Sequence, residues 1–323
     1  MTKLIIQIPC LNEAETLHCV INDLPKEIPG IDCIETLVID DGSRDGTSAT
    51  ALGLGVHHVV RHRRNRGLAA AFATGIDAAL EFEADIIVNT DGDHQYPGEH
   101  IAALVKPILD GRADVVIGDR QPEQNRHQPW LKRQLYRLGR WTVSWILGEP
   151  IPDPVSGFRA YSREAAGKLC VVTRYSYTIE TLVQSVEHGM AIEFVPITSN
   201  PPTRPSRLYR SHFQFVSRSA ATLLRVFFMF HPLQTMLWLS TALATLGLLP
   251  IVRFLTFYAL GQGDGHVQSL VLGVGALTLA SLTLLAGIVA DSVSFRRLLL
   301  VNTTRSPRSS SNSLQASPIT KRR

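Results

Sequence analysis

The sequence predicts an α/β domain built on a mostly parallel sheet and followed by two transmembrane helices, and three observations carry that prediction. Short apolar runs alternate with helix-like stretches through the first 120 residues. Unusual acidic clusters sit where those runs end. Two long apolar stretches come late in the chain, ahead of a basic tail. Strand followed by helix, repeated, is the rhythm of βαβ units, which lay parallel strands side by side and cover both faces of the sheet with helices.

The strands are expected at Leu4 to Ile8, Ile34 to Ile39, Val56 to Val60, Asp85 to Asn89 and Ala113 to Ile117. Each is followed by turn residues and then by a helical pattern such as Leu68 to Leu80. Ligands of such sheets bind beyond the carboxyl ends of the strands. Those ends carry Pro9-Cys10-Leu11-Asn12-Glu13, Asp40-Asp41-Gly42-Ser43 and Asp91-Gly92-Asp93-His94-Gln95. Residues 127 to 147 and 209 to 230 mix Arg and Lys with Trp, Leu, Phe and Val at helical spacing, the pattern of helices lying in a lipid interface.

Leu233 to Leu260 and Val267 to Ala290 each exceed the roughly 20 apolar residues that cross a bilayer. A pair of buried core helices is the alternative, but no further sequence is left to cover them. The loop Gly261 to His266 has no Lys or Arg, whereas Arg218, Arg225, Arg296, Arg297, Arg305 and Arg308 flank the opposite ends. The positive-inside rule therefore places both termini in the cytoplasm, with Arg253 near the outer end of the first span able to snorkel. The organisation expected is a catalytic-type domain over 1–208, an interfacial helix over 209–230, a hairpin over 231–295 and a basic disordered tail over 296–323.

The net charge of +4 conceals an asymmetry: residues 1 to 193 hold 19 basic and 26 acidic side chains, and residues 194 to 323 hold 13 and 2. The basic residues flank apolar runs instead of interleaving with stacking aromatics, so the partner they fit is a membrane surface and not a nucleic acid. Cys10, Cys19, Cys33 and Cys170 form no C-x-x-C pair and have no His at metal-ligand spacing, which fits a reducing cytosol. The opening Met1 to Ile8 is too short and too poor in small residues for a signal peptide, so the first domain is expected to stay in the cytoplasm.

Asp91 and Asp93 stand two apart at the end of a buried-type strand, where both carboxylates can face one octahedral cation, Mg²⁺ or Mn²⁺, that keeps positions open for phosphate. Asp40-Asp41 closes another strand of the same sheet, and for Asp40 and Ser43 a turn-capping role is the competing reading. His57, His58 and His62 surround a strand, where packed or solvated histidines are commoner than ligands. His94 either approaches a phosphate or serves as a spacer in its turn.

Ile8-Pro9 with Asn12-Glu13, Val38 to Ser43 with Asp45-Gly46-Thr47, Asp91 to Gln95, and Gly157-Phe158-Arg159-Ala160-Tyr161 together resemble the family 2 glycosyltransferases, most closely the branch of dolichyl-phosphate mannose synthase and polyprenyl-phosphate glucosyltransferase. The resemblance covers about residues 3 to 230 and implies a GT-A-like fold. It also implies inverting transfer of a hexose from a GDP-mannose or UDP-glucose type donor to a polyprenyl (dolichyl or undecaprenyl) phosphate. The setting it implies is the cytoplasmic face of the cell (inner) membrane, in a multi-pass protein. By the same resemblance Pro9, Leu11, Glu13, Ile39 and Asp41 fall where relatives hold the nucleoside. Asp91, Gly92, Asp93 and Gln95 fall on the metal and diphosphate positions, Arg120 on a phosphate contact, and Asp153 on an acidic position beside the reaction centre, as acceptor orienter or base.

A lipid phosphate is largely ionised at neutral pH. Its enzyme must therefore supply cations and in-line geometry more than a strong base; Arg133, Arg204 and Arg207 are the candidates for that acceptor. Two departures stand out. Relatives often have an Arg followed four residues later by Ser in the first interfacial helix, where this chain has Lys132 with Tyr136 and Arg133 with Arg137. Relatives also often show Gly-x-Ser-Lys where this chain has Arg204-Pro205-Ser206-Arg207.

Two other functions compete. A processive polysaccharide synthase would show Gln-x-x-Arg-Trp after its acceptor carboxylate, whereas Arg137-Leu138-Gly139-Arg140-Trp141 lacks the Gln and precedes Asp153. A silent nucleotide-binding membrane anchor would have lost Asp91 or Asp93. A dinucleotide-binding oxidoreductase fails on Gly53-Leu54-Gly55-Val56, which lacks the third Gly and runs into a strand. The donor sugar, the base and homo-oligomer formation stay open at the level of sequence.

Overall fold

The computed structural model describes residues 1–121, 130–171, 177–200, 228, 232–261 and 266–304. The chain divides into two units, Met1–Ser219 with Pro307–Arg323, and Ala220–Ser306. The first unit contains β1 (Lys3–Cys10), α1 (Leu17–Asp23), β2 (Cys33–Asp40), α2 (Thr47–Gly53), β3 (His58–Arg61), α3 (Leu68–Glu81), β4 (Ile86–Asn89), α4 (Ile101–Leu109), β5 (Val115–Asp119), α5 (Trp130–Leu147), β6 (Arg159–Ser162), α6 (Arg163–Lys168), α7 (Tyr177–Glu187) and β7 (Ile192–Pro196). The second contains α8 (Pro232–Ala259) and α9 (Val267–Thr304).

The strands form one sheet in the order β3-β2-β1-β4-β6-β5-β7. β1, β2, β3 and β4 are mutually parallel, and β1 pairs with β2 from Lys3↔Cys33 to Cys10↔Asp40. β6 inserts antiparallel between β4 and β5, and β7 runs parallel to β5 at the edge. The sheet is thus mostly parallel, as the alternating pattern predicts, and GT-A-like, as the resemblance implies. All five expected strands form. β3 starts at His58 instead of Val56 because the Val56 amide donates to Ala51 O and so closes α2. β6 is four residues beginning with Arg and ending with Ser, too short and polar for a period-two signal. β7 ends in Pro196, which a sheet tolerates at its edge.

β1 reads as continuous apolar sequence because both its faces are covered. Leu4, Ile6 and Ile8 join Val38, Val88, Val116, Leu104 and Val105 in one fully buried cluster, each such side chain contributing about 1.5–3 kcal/mol on burial. On the other side α3 lies close to the sheet. Its alanines favour helix, Ala69, Phe72, Ile76 and Ala79 are buried, and Gly75 is where the helix presses in, since a methyl there would collide with Gln7 and Ile39.

In the second unit α8 and α9 pack through small residues. A Cβ on Gly247 would lie 3.0 Å from both Gly273 O and Ala276 Cβ, and Ser240 Oγ donates to Ala280 O at 2.9 Å. Both helices are long and apolar enough to cross a membrane, with mean hydropathy 1.7 and 2.1 in their spanning windows. The helix expected over 209–230, apart from Phe228, and residues 305–323 of the tail lie outside the described residues.

Candidate active site

The first three strands end around a groove of about 780 Å³, lined by Leu11, Asn12, Gly42, Ser43, Arg44, Arg61 to Arg64 and Asn65. Its walls are held by two consecutive carboxylates, Asp40 at the end of β2 and Asp41 just after it. Asp40, fully buried, accepts from the Ser43 amide at 2.7 Å and from Ser48 Oγ, and Arg61 Nε lies 3.4 Å away. Asp40 therefore does the turn-capping work that was its competing reading. Asp41 accepts from the Arg66 and Gly67 amides at 2.8 Å each, and its Oδ1 lies 2.7 Å from His62 Nδ1. These bonds anchor the 62–67 loop, and His62 is pinned from its other side by Thr74 Oγ1 at 3.0 Å. Gly42 takes a left-handed φ of 77°, and a Cβ there would meet the Arg64 and Asn65 backbone at 2.6–2.9 Å. Arg44, Arg61, Arg63 and Arg64 make this a donor-rich, cationic rim.

Next along the sheet, β4 delivers Asp91 and Asp93. Burial, together with the Asp93 charge, pushes the Asp91 carboxyl up to about 7. Asp91 is partly exposed and accepts no hydrogen bond among the described residues, which leaves its carboxylate open to a cation. No third His, Cys, Asp or Glu joins the pair among the described residues. Two carboxylates with the remaining positions left to phosphate and water is the donor set Mg²⁺ or Mn²⁺ takes at nucleotide sites, so the residues fit such an ion. Asp93 Oδ1 accepts from the Gln95 amide at 3.2 Å across a tight turn, in which His94 adopts a φ of 58°. His94 acts as the spacer of that turn: Nε2 lies 3.4 Å from Asp23 and its carbonyl accepts from Asn200 Nδ2.

Beyond β4, the ends of β5 and the loop before β6 bring together Arg120 and Asp153. Arg120 Nε donates to Asp153 Oδ2 at 2.7 Å and Nη2 to Oδ1 at 3.0 Å, a bidentate fork. Asp153 is 1% exposed. Burial opposes the Arg120 charge, but Tyr96 and Asp153 outweigh it and hold the guanidinium well above its ordinary range. Arg120 also acts electrostatically on Asp91, so the pair sits beside the acidic one. Helix α5 closes this end. Burial raises the Tyr136 phenol, with Arg120 opposing and Asp153 adding to the shift. On the opposite face Leu138, Trp141 and Trp145 are about 60% exposed, the two indoles stacked at 6.4 Å.

The nucleoside candidates fall at the ends of β1 and β2. Leu11 lines the groove, while Pro9 and Ile39 are paired in the sheet, with the Ile39 side chain buried beneath α3 beside Gly75. Glu13 is nearly buried. Its carboxylate and Gly92 O both accept from Thr16 Oγ1, at 3.0 and 2.9 Å, which links the β1 loop to the acidic turn. Gln95 meets Asp93 through its amide, and its carbonyl accepts from the Asn200 amide. Arg133 lies in the first turn of α5, partly exposed; Arg204 and Arg207 lie outside the described residues. His62 is the packed histidine that the sequence favours; sequence reasoning missed the arginine rim, and Asn89, Tyr96 and Tyr177 beneath the acidic pair. The Arg61-His62-Arg63-Arg64 run after a strand was the available signal for the rim; the others are scattered residues with no local pattern.

The geometry and the comparisons with known proteins agree. The model of glycosyl transferase family 2 matches residues 5–170. The chain is 30% identical over 207 residues to polyprenol monophosphomannose synthase of Mycolicibacterium smegmatis, covering 61% of this chain and 77% of that protein. It is 29% identical over 212 residues to the UDP-N-acetylglucosamine–dolichyl-phosphate N-acetylglucosaminyltransferase of Methanococcus voltae, covering 59% and 82%. Among solved structures, glucosyl-3-phosphoglycerate synthase of Mycobacterium tuberculosis, crystallised with Mn²⁺, UDP-glucose and phosphoglyceric acid, superposes with a TM-score of 0.55 at 24% identity over 70% of this chain and 79% of that one, a likeness of fold. With the motif order, the strand-end groove and the acidic pair in one sheet, these matches make the chain a glycosyltransferase enzyme belonging to glycosyl transferase family 2.

Proposed function

We propose that this enzyme transfers a hexose, with inversion, from a nucleoside diphosphate sugar of GDP-mannose or UDP-glucose type to a polyprenyl phosphate at the cytoplasmic face of the cell membrane. The observation that carries the acceptor assignment is the two-sidedness of α5. One face brings Tyr136 beside Arg120 and Asp153, and the other exposes Leu138, Trp141 and Trp145 with Arg137 among them. A helix that is apolar and basic outside and adjoins the reaction centre inside suits an acceptor whose phosphate enters from a lipid interface. Two relatives named for lipid-phosphate acceptors, and two helices of spanning length, support the same reading.

The substrates would lie along the sheet edge in chain-independent order: nucleoside in the groove over β1 to β3, diphosphate at Asp91 and Asp93, acceptor phosphate near Arg120. An oxygen of the lipid phosphate attacks the anomeric carbon, the bond from that carbon to the diphosphate oxygen breaks, and the nucleoside diphosphate departs with the electron pair. Mg²⁺ or Mn²⁺, held by Asp91 and Asp93, would neutralise charge growing on the leaving diphosphate. Arg120 supplies fixed positive charge where two anions must meet. The acceptor is already ionised, so Asp153 serves best as the carboxylate that orients the Arg120 fork, both its oxygens being committed there. Arg133, with Arg204 and Arg207, would add cation on the acceptor side, and α8 and α9 would span the membrane as a hairpin.

Purified membranes containing the protein, incubated with labelled GDP-mannose, UDP-glucose or UDP-N-acetylglucosamine, Mn²⁺ and undecaprenyl or dolichyl phosphate, test this directly. Label should enter the lipid phase from at least one donor. Label in a polymer, or in a water-soluble phosphate such as phosphoglycerate, with none in lipid would replace the acceptor assignment.

A further inference from the structure

Arg159 belongs to a family-marking motif yet lies outside the site just described, and it is completely buried. Arginine is almost never fully buried without partners, and here all three guanidinium nitrogens are used. Nε donates to Ser156 O at 2.8 Å and Nη2 to Pro154 O at 3.0 Å. Nη1 donates to Thr178 O at 2.8 Å and to Thr181 Oγ1 at 3.0 Å. Two bonds hold the loop that begins at Asp153; two hold the first turns of α7. The same loop is tied at its far end, where Gly157 O accepts from Asn89 Nδ2 at 2.8 Å and from Tyr177 Oη at 3.3 Å.

We propose that Arg159 is a positioning residue: its buried guanidinium fixes the Pro154 and Ser156 carbonyls against α7, and so sets Asp153 where it meets Arg120 as a bidentate fork. The requirement is for a guanidinium in particular. Four acceptors in different directions around a planar group suit five donors in a rigid fork, whereas an ammonium has three donors radiating from one point and cannot reach Pro154 O and Thr178 O together. Loss of the pin would leave Asp153 in the chain but free its loop to shift, and a shift of about 1 Å at a reacting centre is enough to cost about 100-fold.

The test measures thermal unfolding of the full-length protein for Arg120→Gln, Asp153→Asn and their combination, each in the wild-type, Arg159→Lys and Thr181→Val backgrounds. Thr181→Val removes one bond to the guanidinium without touching its charge, and it carries the test if Arg159→Lys fails to fold. The non-additivity of the Arg120 and Asp153 substitutions should fall by half or more in Arg159→Lys and measurably in Thr181→Val. Unchanged non-additivity in the folded backgrounds would overturn the proposal. This readout does not depend on the acceptor, so it stands even if the lipid-phosphate reading fails. Where transfer to undecaprenyl phosphate is observed, the variants should raise the acceptor KM at least fivefold with the donor KM within twofold. A loss of thermal stability with both constants unchanged would mean that Arg159 is only part of the core.

Discussion

Removing the charge of Arg120 should cost more stability than removing the charge of its partner, and the asymmetry follows from exposure. The Asp153 side chain is 1% exposed and that of Arg120 24%. Arg120→Gln leaves a buried carboxylate without its cation, a loss of about 3–5 kcal/mol. In Asp153→Asn the guanidinium can turn toward water, so the loss is nearer that of a charge-assisted hydrogen bond, about 1.5–3 kcal/mol. For a unit of this size 1 kcal/mol moves Tm by about 2–4 °C, so Arg120→Gln should fall roughly 6–20 °C. The double substitution removes both charges and should be less destabilised than the sum by about 2–3 kcal/mol. Thermal unfolding followed by circular dichroism in detergent at neutral pH reads all four proteins. Additivity within about 0.5 kcal/mol, or a larger loss for Asp153→Asn than for Arg120→Gln, would refute the reasoning.

Three further outcomes follow from particular contacts. Asp91→Asn should weaken Mn²⁺ binding, read by electron paramagnetic resonance, and lower transfer about 10²–10³-fold, while Tm holds or rises because the repulsion from Asp93 is relieved; unchanged Mn²⁺ affinity would take Asp91 out of the ion site. Gly42→Ala forces a side chain into a left-handed position against the Arg64 and Asn65 backbone, and should cost about 1–3 kcal/mol and raise the donor KM about tenfold, checked by nucleotide titration. Glu35 is part-buried, which alone would raise its carboxyl, but bonds from Lys3 and His58 outweigh this and hold it below the usual range. A depressed carboxylate stabilises above its unfolded pKa and loses that contribution as pH falls through the folded value. Glu35→Gln should therefore lower stability by up to about 1 kcal/mol at pH 7, with the gap to wild type closing below about pH 4; a gap constant with pH would contradict the assignment.

The strands were legible because apolar runs of strand length, each capped by turn residues, recur at βαβ spacing, and the two long helices because each apolar stretch exceeds the length that crosses a bilayer. The Asp91 and Asp93 pair was legible as a candidate from its spacing and the buried strand behind it. The roles of Asp40 and Asp41 were harder to see. Their ligands are the amides of Ser43, Arg66 and Gly67 and the ring of His62, and backbone donors leave no trace in residue identity. β6 escaped because it is four residues long and antiparallel in an otherwise parallel pattern. Asn89 and Tyr177 escaped because Asn89 bonds Gly157 and Tyr177 across 68 and 88 residues, separations that no local period encodes; Arg159 stood in a visible motif, but the motif does not say what its guanidinium meets. Tyr136 was visible only as a departure from the relatives' Ser, and its place beside Arg120 and Asp153 gives that departure a physical location.

The central claim is that the sugar ends on a lipid phosphate. Mass spectrometry of the lipid extract after reaction with unlabelled donor and undecaprenyl phosphate tests it most directly. The account predicts a species heavier than the acceptor by one hexose residue, resistant to phosphatase because the monoester has become a diester, with one nucleoside diphosphate released per molecule formed. Nucleoside diphosphate release with the lipid phosphate unchanged in mass would contradict it.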